Sequence, residues 1–469
     1  MVKQALESAS KLAAAAGVEF DIRSKLLATH GVTEEVVRLI SAKNNEPAEI
    51  LDFRLKALAK WQKMAEPHWA FFDYASLDYE NMRVFAEPVK DAAADEKIRA
   101  AYEKLGVPLH EREILQGMAV DAVVDSRSVA TTYGKELAKH GIIFCSFGEA
   151  VKNHLPIILK HLGSVIPPAD NFFTALNAAL FSDGTFVYIP RGVKCPIELS
   201  SYFRLETEKL GQFERTLIIA DHGAELTYLE GCSAPMRSSH QLHAGVVELV
   251  AMPGSRVNYA TVQNWYGGDE EGRGGVLNFV SKRAVVHTNA TVSWTQLEVG
   301  AIMTWKYPSC ILKGDGAKGE FYSVAITNNK QAADTGTRMI HQGRNTKSLI
   351  RAKSIALGRS LSGFRSLVRI EPTATGAISS SKCDSLILES ARTLAEPRLE
   401  GKTNHAEIAH EASVSSISEG QLYSLSLLGL DEEKATSLIV NGFASDIVRR
   451  LPAEFALEAR ALINLKLEE

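Results

Sequence analysis

The chain has 469 residues, of which 45% are hydrophobic and 23% are charged, the composition of a folded globular protein rather than a disordered or collagen-like one. Its 52 Lys and Arg against 56 Asp and Glu give a net charge of −4, which argues against a dedicated nucleic-acid-binding protein. No apolar run reaches the roughly 18–20 residues that a membrane-spanning helix needs, so no membrane association is expected.

The first residues and the cysteine content predict a cytoplasmic protein. Residues 1–7 include an early acidic residue and lack the apolar segment of a secretion signal. The chain has five cysteines and no CxxC pair. This pattern favours free thiols in a reducing compartment over a disulfide framework or a four-cysteine zinc site.

Residues 1–150 are expected to form an N-terminal helical or mixed domain. Thr33 can cap a helix whose first turn carries two glutamates, and Pro47 suits the start of a second helix. Apolar residues then recur at helical spacing over residues 51–61, and residues 95–105 also have a helical pattern.

Residues 151–415 are expected to form a β-helix core, because short strand patterns and turns recur there at a nearly constant interval. Similar turn-then-strand segments are separated by 31, 35, 27, 29, 31 and 28 residues. They begin at Gly223, Gly254, Asn289, Gly316, Asn345, Gly376 and Asn404. A period near 30 without helical segments predicts a mainly β protein, a right-handed parallel β-helix (solenoid) with N-terminal and C-terminal α-helical domains. A β-sandwich with regular hairpins is the alternative.

Residues 416–469 are predicted to form a C-terminal helical domain. Asp431 can cap a helix with an acidic first turn, and apolar residues follow at steps of three and four. Such a domain can cover the last coil of a solenoid, or it can bind a partner.

Motifs of several enzyme classes are absent from the sequence. There is no GxxxxGK[ST] phosphate loop, no HExxH zinc motif and no GxSxG nucleophile elbow. The chain is therefore expected not to hydrolyse ATP itself.

The cysteines fall into two groups. Cys145, Cys195 and Cys310 lie in apolar strand-like segments, where a free cysteine is ordinarily a small buried side chain. Cys232 ends a strand beside a turn, where a thiol can be exposed, although burial is an equal alternative. Cys383 has polar neighbours, which disfavours burial, and the adjacent Lys382 would help to ionise it.

The turn spacing suggests a metal site at Cys383. This residue lies seven positions after Gly376, and Glu411 lies seven positions after Asn404. If these turns are equivalent, the two side chains occupy one column on adjacent coils, about 4.8 Å apart, and both point outward. A thiolate and a carboxylate could then share a metal or cluster. The alternative is coincidence on a solvated face.

Several motifs together make the sequence closely resemble the SufB/SufD family of the SUF iron–sulfur cluster assembly machinery, and within it the SufB scaffold subunits. The resemblance runs from about residue 33 to the C-terminus. It rests on segments that include YLEGCSAPM (228–236), TVQNWY (261–266), TWKYPSCIL (304–312), KCDSL (382–386), HEAS (410–413) and SLIVNGF (437–443). SufD relatives generally lack the two cysteines in EGC and CDS.

The resemblance implies partners and a function. It implies a non-enzymatic scaffold that accepts sulfur and iron, assembles a transient [4Fe-4S] or [2Fe-2S] cluster and passes it on; a flavin requirement stays open. The ATPase SufC would dock on the C-terminal helices, SufD or a second copy of the chain would pair through the β-helix, and a cysteine desulfurase with a sulfur-transfer protein would deliver sulfur. Alternatives are a SufD-like structural subunit and a β-helix enzyme acting on polysaccharide.

The resemblance also implies roles for individual residues. Cys232 corresponds to the sulfur acceptor, and Cys383 with Glu411 correspond to cluster ligands, with His410 as a neighbouring candidate. A second set corresponds to polar positions of a sulfur path through the β-helix, although they could be ordinary hydrogen-bonded interior groups. This set is Glu214, His243, Thr261 and Lys282. The chain departs from relatives at Arg392 and Ala444, where some of them carry further cysteines.

Overall fold

The structure is a computed structural model that describes residues 24–26, 31–68, 72, 74, 77–88, 118–124, 126–131, 134–205 and 210–468. The helices are α1 (Glu34–Asn44), α2 (Ala48–Trp61), α3 (Gly134–Ala138), α4 (Phe147–Asn153), α5 (Leu155–His161), α6 (Phe172–Leu180), α7 (Glu419–Ser426), α8 (Glu432–Val448) and α9 (Ala453–Glu468). The first strands are β1 (Ser24–Leu26), β2 (Ala86–Pro88), β3 (Met118–Val124), β4 (Arg127–Thr131), β5 (Ile143–Ser146), β6 (Thr185–Ile189) and β7 (Glu198–Arg204). The strands of the central region are β8 (Gly211–Ala220), β9 (Glu225–Ser233), β10 (Gln241–Ala251), β11 (Arg256–Asn264), β12 (Val276–Val286), β13 (Thr291–Val299), β14 (Met303–Lys306) and β15 (Ser309–Leu312). The remaining strands are β16 (Lys318–Thr327), β17 (Ala332–His341), β18 (Lys347–Ala356), β19 (Leu361–Ile370), β20 (Ala377–Ile387), β21 (Arg392–Gly401) and β22 (Ala406–Ser416).

The strands form a parallel β-solenoid, which confirms the predicted fold class. Successive strands alternate between two ten-stranded sheets: sheet I, in the order β22-β20-β18-β16-β13-β11-β9-β7-β3-β4, and sheet II, in the order β21-β19-β17-β14-β12-β10-β8-β6-β5 with β15 beside β12 and β17. From β6 and β7 onward, each described strand pairs in parallel with its equivalent in the next coil.

The turn residues that revealed the repeat are the ones that need an unusual backbone. Gly223, Gly254, Gly316 and Gly376 have φ between 68° and 73°, and the two asparagines at equivalent turns have φ of 54°. Glycine and asparagine tolerate this left-handed conformation better than other residues do. The strand register reproduces the first five sequence intervals, whereas Ala377 pairs with Ala406, a step of 29 residues instead of 28.

The lumen of the solenoid has an apolar part and a polar part. The apolar part is a continuous core of residues such as Ile218, Tyr259, Trp294 and Phe364, which are at most 2% exposed. Buried charged and amide side chains line the polar part. Inward and outward positions alternate along each strand, so a shift of one residue reverses the face on which a side chain lies.

The N-terminal helices cover the outer face of sheet II. Thr33 caps α1 by accepting a hydrogen bond from the backbone N–H of Val36 at 3.3 Å, and Pro47 immediately precedes α2, as predicted. These helices and α6 pack on sheet II residues such as Phe279 and Trp305. The predicted helix over 95–105 lies outside the described residues.

The C-terminal helices α8 and α9 cover part of the outer face of sheet I. Asp431 caps α8 by accepting a hydrogen bond from the Lys434 backbone N–H at 2.9 Å, as predicted. Val440 and Ile463 from these helices join an apolar cluster with strand residues such as Val324. Among the described residues, no helix is long and apolar enough to cross a membrane.

Candidate functional site: a buried charge network around Cys232

Cys232 lies inside the solenoid and not at an exposed turn. Its exposure is 2%, and it pairs in register with Phe203 on one side and Gln263 on the other. The expectation of an exposed thiol was therefore wrong, because β9 continues through Ser233 and keeps the side chain on the lumen face. Gln263 Nε2 donates to the Cys232 Sγ at 3.7 Å.

Glu230, two residues before Cys232, is the centre of the network. Its Oε1 accepts from Lys282 Nζ at 2.5 Å and lies 4.0 Å from the Cys232 Sγ, while its Oε2 accepts from the Tyr259 hydroxyl. Lys282 Nζ also donates to Thr261 Oγ1 at 3.1 Å. All five side chains are at most 2% exposed.

Glu214 and His243 form a second part of the network. His243 Nδ1 lies 2.8 Å from Asn278 Oδ1, an acceptor, which assigns the proton to Nδ1. His243 Nε2 then faces Glu214 Oε1 at 3.2 Å. Burial raises the pKa of Glu214, although His243 opposes the shift, so a protonated Glu214 suits this geometry. Gly245 leaves room for the pair, since a Cβ there would lie 3.0 Å from Glu214 Oε1.

A hydrogen-bonded chain joins the two parts. Asn278 Nδ2 donates to Gln263 Oε1 at 2.6 Å, and Trp265 Nε1 donates to the same oxygen at 3.2 Å. Gln263 therefore connects the His243 side of the network to Cys232. The structure thus brings the four predicted path residues, Glu214, His243, Thr261 and Lys282, around the predicted sulfur acceptor.

The network controls the charge of the Cys232 thiol. Burial raises the pKa of Cys232 well above its usual value, and Glu230 and Glu214 raise it further, whereas Lys282 and Lys306 lower it. Burial also favours the charged form of Glu230 least, but the two lysine charges hold the pKa of this carboxyl below its usual value. An anion on Cys232 would therefore form next to two buried cations.

The predicted pairing of Cys383 with Glu411 was wrong. Glu411 pairs in register with Lys382, and Cys383 pairs with Ala412, because the residue aligned with Gly376 is His405 and not Asn404. The one-residue shift places the two side chains on opposite faces of sheet I.

Their environments differ accordingly. Cys383 is 0% exposed in the lumen core, and burial followed by the charge of Asp384 raises its pKa to about 12. The Glu411 side chain is 64% exposed and forms an ion pair with Lys382 Nζ at 2.8 Å. The polar sequence around Cys383 is compatible with burial because Ser379 is hydrogen-bonded inside the lumen to Ser348 at 2.8 Å.

His410 lies on the lumen side of the last strand, in register with Ser381. It is half-buried, and its two ring nitrogens have no hydrogen-bond partner in the part of the chain that is described. Within that part, no three His, Cys, Asp or Glu side chains are arranged to hold a metal ion.

Comparison with known proteins decides the family. Residues 203–443 match the family described as "SUF system FeS cluster assembly, SufBD core domain", and residues 94–199 match "SufBD protein N-terminal region". Curated relatives named Iron-sulfur cluster assembly SufBD family proteins include one from Synechocystis sp., 51% identical over 93% of both chains, and one from Staphylococcus epidermidis, 40% identical over 93% of both. A chloroplastic relative from Arabidopsis thaliana is 47% identical over 93% of this chain and 80% of its own. This chain belongs to the SufBD family.

Membership in the SufBD family means a role in iron–sulfur cluster assembly. Sequence reasoning missed part of the charge network in this SufBD protein, although the residues lie in motifs already noticed. Glu230 stands beside Cys232 in EGC, and Gln263 and Trp265 alternate with Thr261 in TVQNWY. Alternation along a strand was the available signal, since residues two apart share a face.

Proposed function

We propose that this chain is a SufB-type scaffold that accepts sulfur on Cys232, assembles an iron–sulfur cluster and passes it to acceptor proteins. The observation that carries the proposal is the placement of Cys232 within a buried network of charged groups, Glu230 and Lys282 above all. A cysteine with only a packing role would ordinarily have apolar neighbours. The presence of both motif cysteines favours SufB over a SufD-like structural subunit.

The sulfur would move through the polar part of the lumen. Glu214, His243, Thr261 and Lys282 are the proposed path residues, and all are inside the solenoid within the Cys232 network. Along sheet I, the register column that contains Glu230 and Thr261 continues to Cys383. This continuity supports a route that ends near the last coil.

Cys383 and Glu411 stay the proposed cluster ligands, with His410 as a neighbour. They lie on opposite faces of sheet I in this conformation, so joint binding requires the last coil to rearrange. The end strands β21 and β22 each pair on one side only among the described strands. We propose that SufD or a second copy of the chain binds there and completes the site, because unpaired strand edges favour association.

The remaining partners follow from the chain's own chemistry. The sequence contains no phosphate loop, so ATP hydrolysis is assigned to SufC, bound by the helices of residues 416–469. Tyr423, Leu427 and Leu428 are 66–77% exposed there and offer an apolar contact. A cysteine desulfurase with its sulfur-transfer protein would supply the persulfide. The chain itself is proposed to be a scaffold and not an enzyme.

The test is persulfide formation on the full-length protein. After incubation with a desulfurase, a sulfur-transfer protein and cysteine, mass spectrometry of tryptic peptides should find the persulfide on Cys232. Cys232→Ser should abolish it, whereas Cys310→Ser, a matched change of another buried cysteine, should not. Unchanged total labelling of Cys232→Ser would reject Cys232 as the acceptor.

Anaerobic reconstitution with iron and sulfide separates the scaffold from the other functions. A visible-absorbing cluster on the purified complex is expected for a scaffold. A SufD-like structural subunit or an enzyme acting on polysaccharide would give none.

A further inference from the structure

A second buried ion pair lies in the lumen beyond the one at Cys232. Lys306 Nζ contacts Glu298 Oε1 at 2.5 Å, and the two side chains are 0% and 4% exposed. Glu298 Oε2 has no hydrogen-bond partner within the described residues. Burial raises the pKa of Glu298, and the charge of Lys306 opposes that shift.

The strand register connects this pair to Cys232. Cys232, Gln263 and Glu298 occupy one column on three successive strands of sheet I. Lys306 lies on sheet II, two residues after Thr304, which is in register with Asn278 of the network. Lys306 also lowers the pKa of both Cys232 and Glu230, so its charge acts on the whole network.

The charges inside the lumen balance only while Cys232 is a neutral thiol. With Glu214 protonated, the carboxylates of Glu230 and Glu298 are matched by Lys282 and Lys306. Two buried ion pairs contribute little net stability, because taking the charges out of water offsets their attraction. Their retention at this place calls for a role other than stability.

Sulfur transfer to a thiol creates such a role. The Cys232 thiolate attacks the terminal sulfur of a donor persulfide, an S–S bond forms at Cys232, the donor S–S bond breaks, and the donor leaves as a thiolate that takes up the proton lost by Cys232. No oxidant or reductant is consumed. The thiolate and the resulting persulfide are anions within the lumen, and both need a nearby cation.

We propose that Lys306, held in place by Glu298, is a positioning residue for this transfer, and that its ammonium group together with Lys282 stabilises the anion formed on Cys232. The inference rests on the sulfur-acceptor role proposed above. Lys306 is unlike a packing residue because its effect on Cys232 is electrostatic. The charged and titratable groups facing Cys232 from the surrounding strands are Glu214, Glu230, His243, Tyr259, Lys282, Glu298 and Lys306.

The test is the pH at which Cys232 ionises in the full-length protein. The thiolate is followed by ultraviolet absorbance, as the difference between each protein and the same protein carrying Cys232→Ser, and by the rate of iodoacetamide modification of the Cys232 peptide. Lys306→Met should raise the midpoint by about one pH unit, because it removes a cation. Glu298→Gln should lower it, because it removes an anion. The double variant should return close to the parent value.

The controls separate charge from packing. Lys353→Met removes a lysine on the outer face of sheet I, which pairs with Asp446 and contacts α8, and should leave the midpoint unchanged. The double variant leaves no unpaired charge and should fold even if Lys306→Met alone does not. Equal midpoints, or shifts of the same sign in Lys306→Met and Glu298→Gln, would overturn the inference.

The persulfide assay distinguishes this inference from the proposed function. If Cys232 takes up no sulfur but the midpoints shift with opposite signs, the sulfur-acceptor role fails and the electrostatic coupling stands. If Cys232 takes up sulfur and the midpoints do not move, only the role of Lys306 fails.

Discussion

Cys383 is enclosed by small side chains of the lumen. Its register neighbours are Ala352 on one side and Ala412 on the other. Burial holds its pKa at about 12, so the thiol is protonated at neutral pH. Because iron binds the thiolate, a ligand role for Cys383 requires both loss of this proton and access from outside. The last coil, which ends the solenoid, is where such access can arise.

We expect Cys383→Ala to lower the free energy of unfolding by about 1–2 kcal/mol, since it removes a buried sulfur from a packed core. A surface position would lose less than about 0.5 kcal/mol. Urea unfolding measures the difference, with the half-buried Cys195→Ala as the control. Equal stability of Cys383→Ala and the parent protein would contradict the buried placement.

At the scale of elements, the C-terminal helices have two different faces. α8 and α9 bury strand residues such as Leu297 and Ile355, so they are part of the fold. α7 has no buried residue, and the turn after it exposes Leu427 and Leu428. Deleting residues 431–469 would therefore expose an apolar surface of sheet I, and a test of partner binding is better made on the α7 segment.

Leu428→Glu should abolish co-purification with SufC while leaving the thermal unfolding of the isolated chain unchanged. Leu428 is 77% exposed, so the fold loses no buried surface, whereas an apolar contact with a partner would gain a charge. Leu457→Glu, at 68% exposure on α9, is the matched control. Retained SufC binding by Leu428→Glu would exclude this surface.

For the whole molecule, the period of turns was enough to predict the solenoid. Gly223, Gly254 and Asn289 have the backbone conformation that their residue types favour, so their spacing equals the coil length. The face of Cys383 could not be obtained in this way. Asn404 resembles the other turn residues, but the last coil is one residue longer, and an error of one residue reverses a strand's faces. The network around Cys232 also depends on contacts between the two sheets, which spacing within one strand does not reveal.

Acid should destabilise the whole solenoid through His341. Burial lowers its pKa from 6.5 to about 4, and its nitrogens contact the hydroxyls of Thr346 and Ser348 at 2.8 and 2.9 Å. The unfolded chain binds a proton at higher pH than the folded chain does, so this contribution to stability is present above pH 6.5 and is lost as the pH falls toward 4.

The loss should amount to at most about 3 kcal/mol. His341→Gln should flatten the dependence of unfolding free energy on pH in that window, and the exposed His405→Gln should leave it unchanged. An unchanged slope in His341→Gln would show that other groups cause the acid sensitivity.

The solenoid also acts as a ruler. Cys232 lies on β9 and Cys383 on β20, and the intervening strands of sheet I are β11, β13, β16 and β18. Five steps of about 4.8 Å place the two thiols about 24 Å apart along the axis. This length is quantised, because adding or removing a complete coil changes it by one step and preserves every inward-facing position, whereas any partial insertion rotates the side chains out of line. Descendants of this chain can therefore alter the separation only by duplicating or losing whole coils.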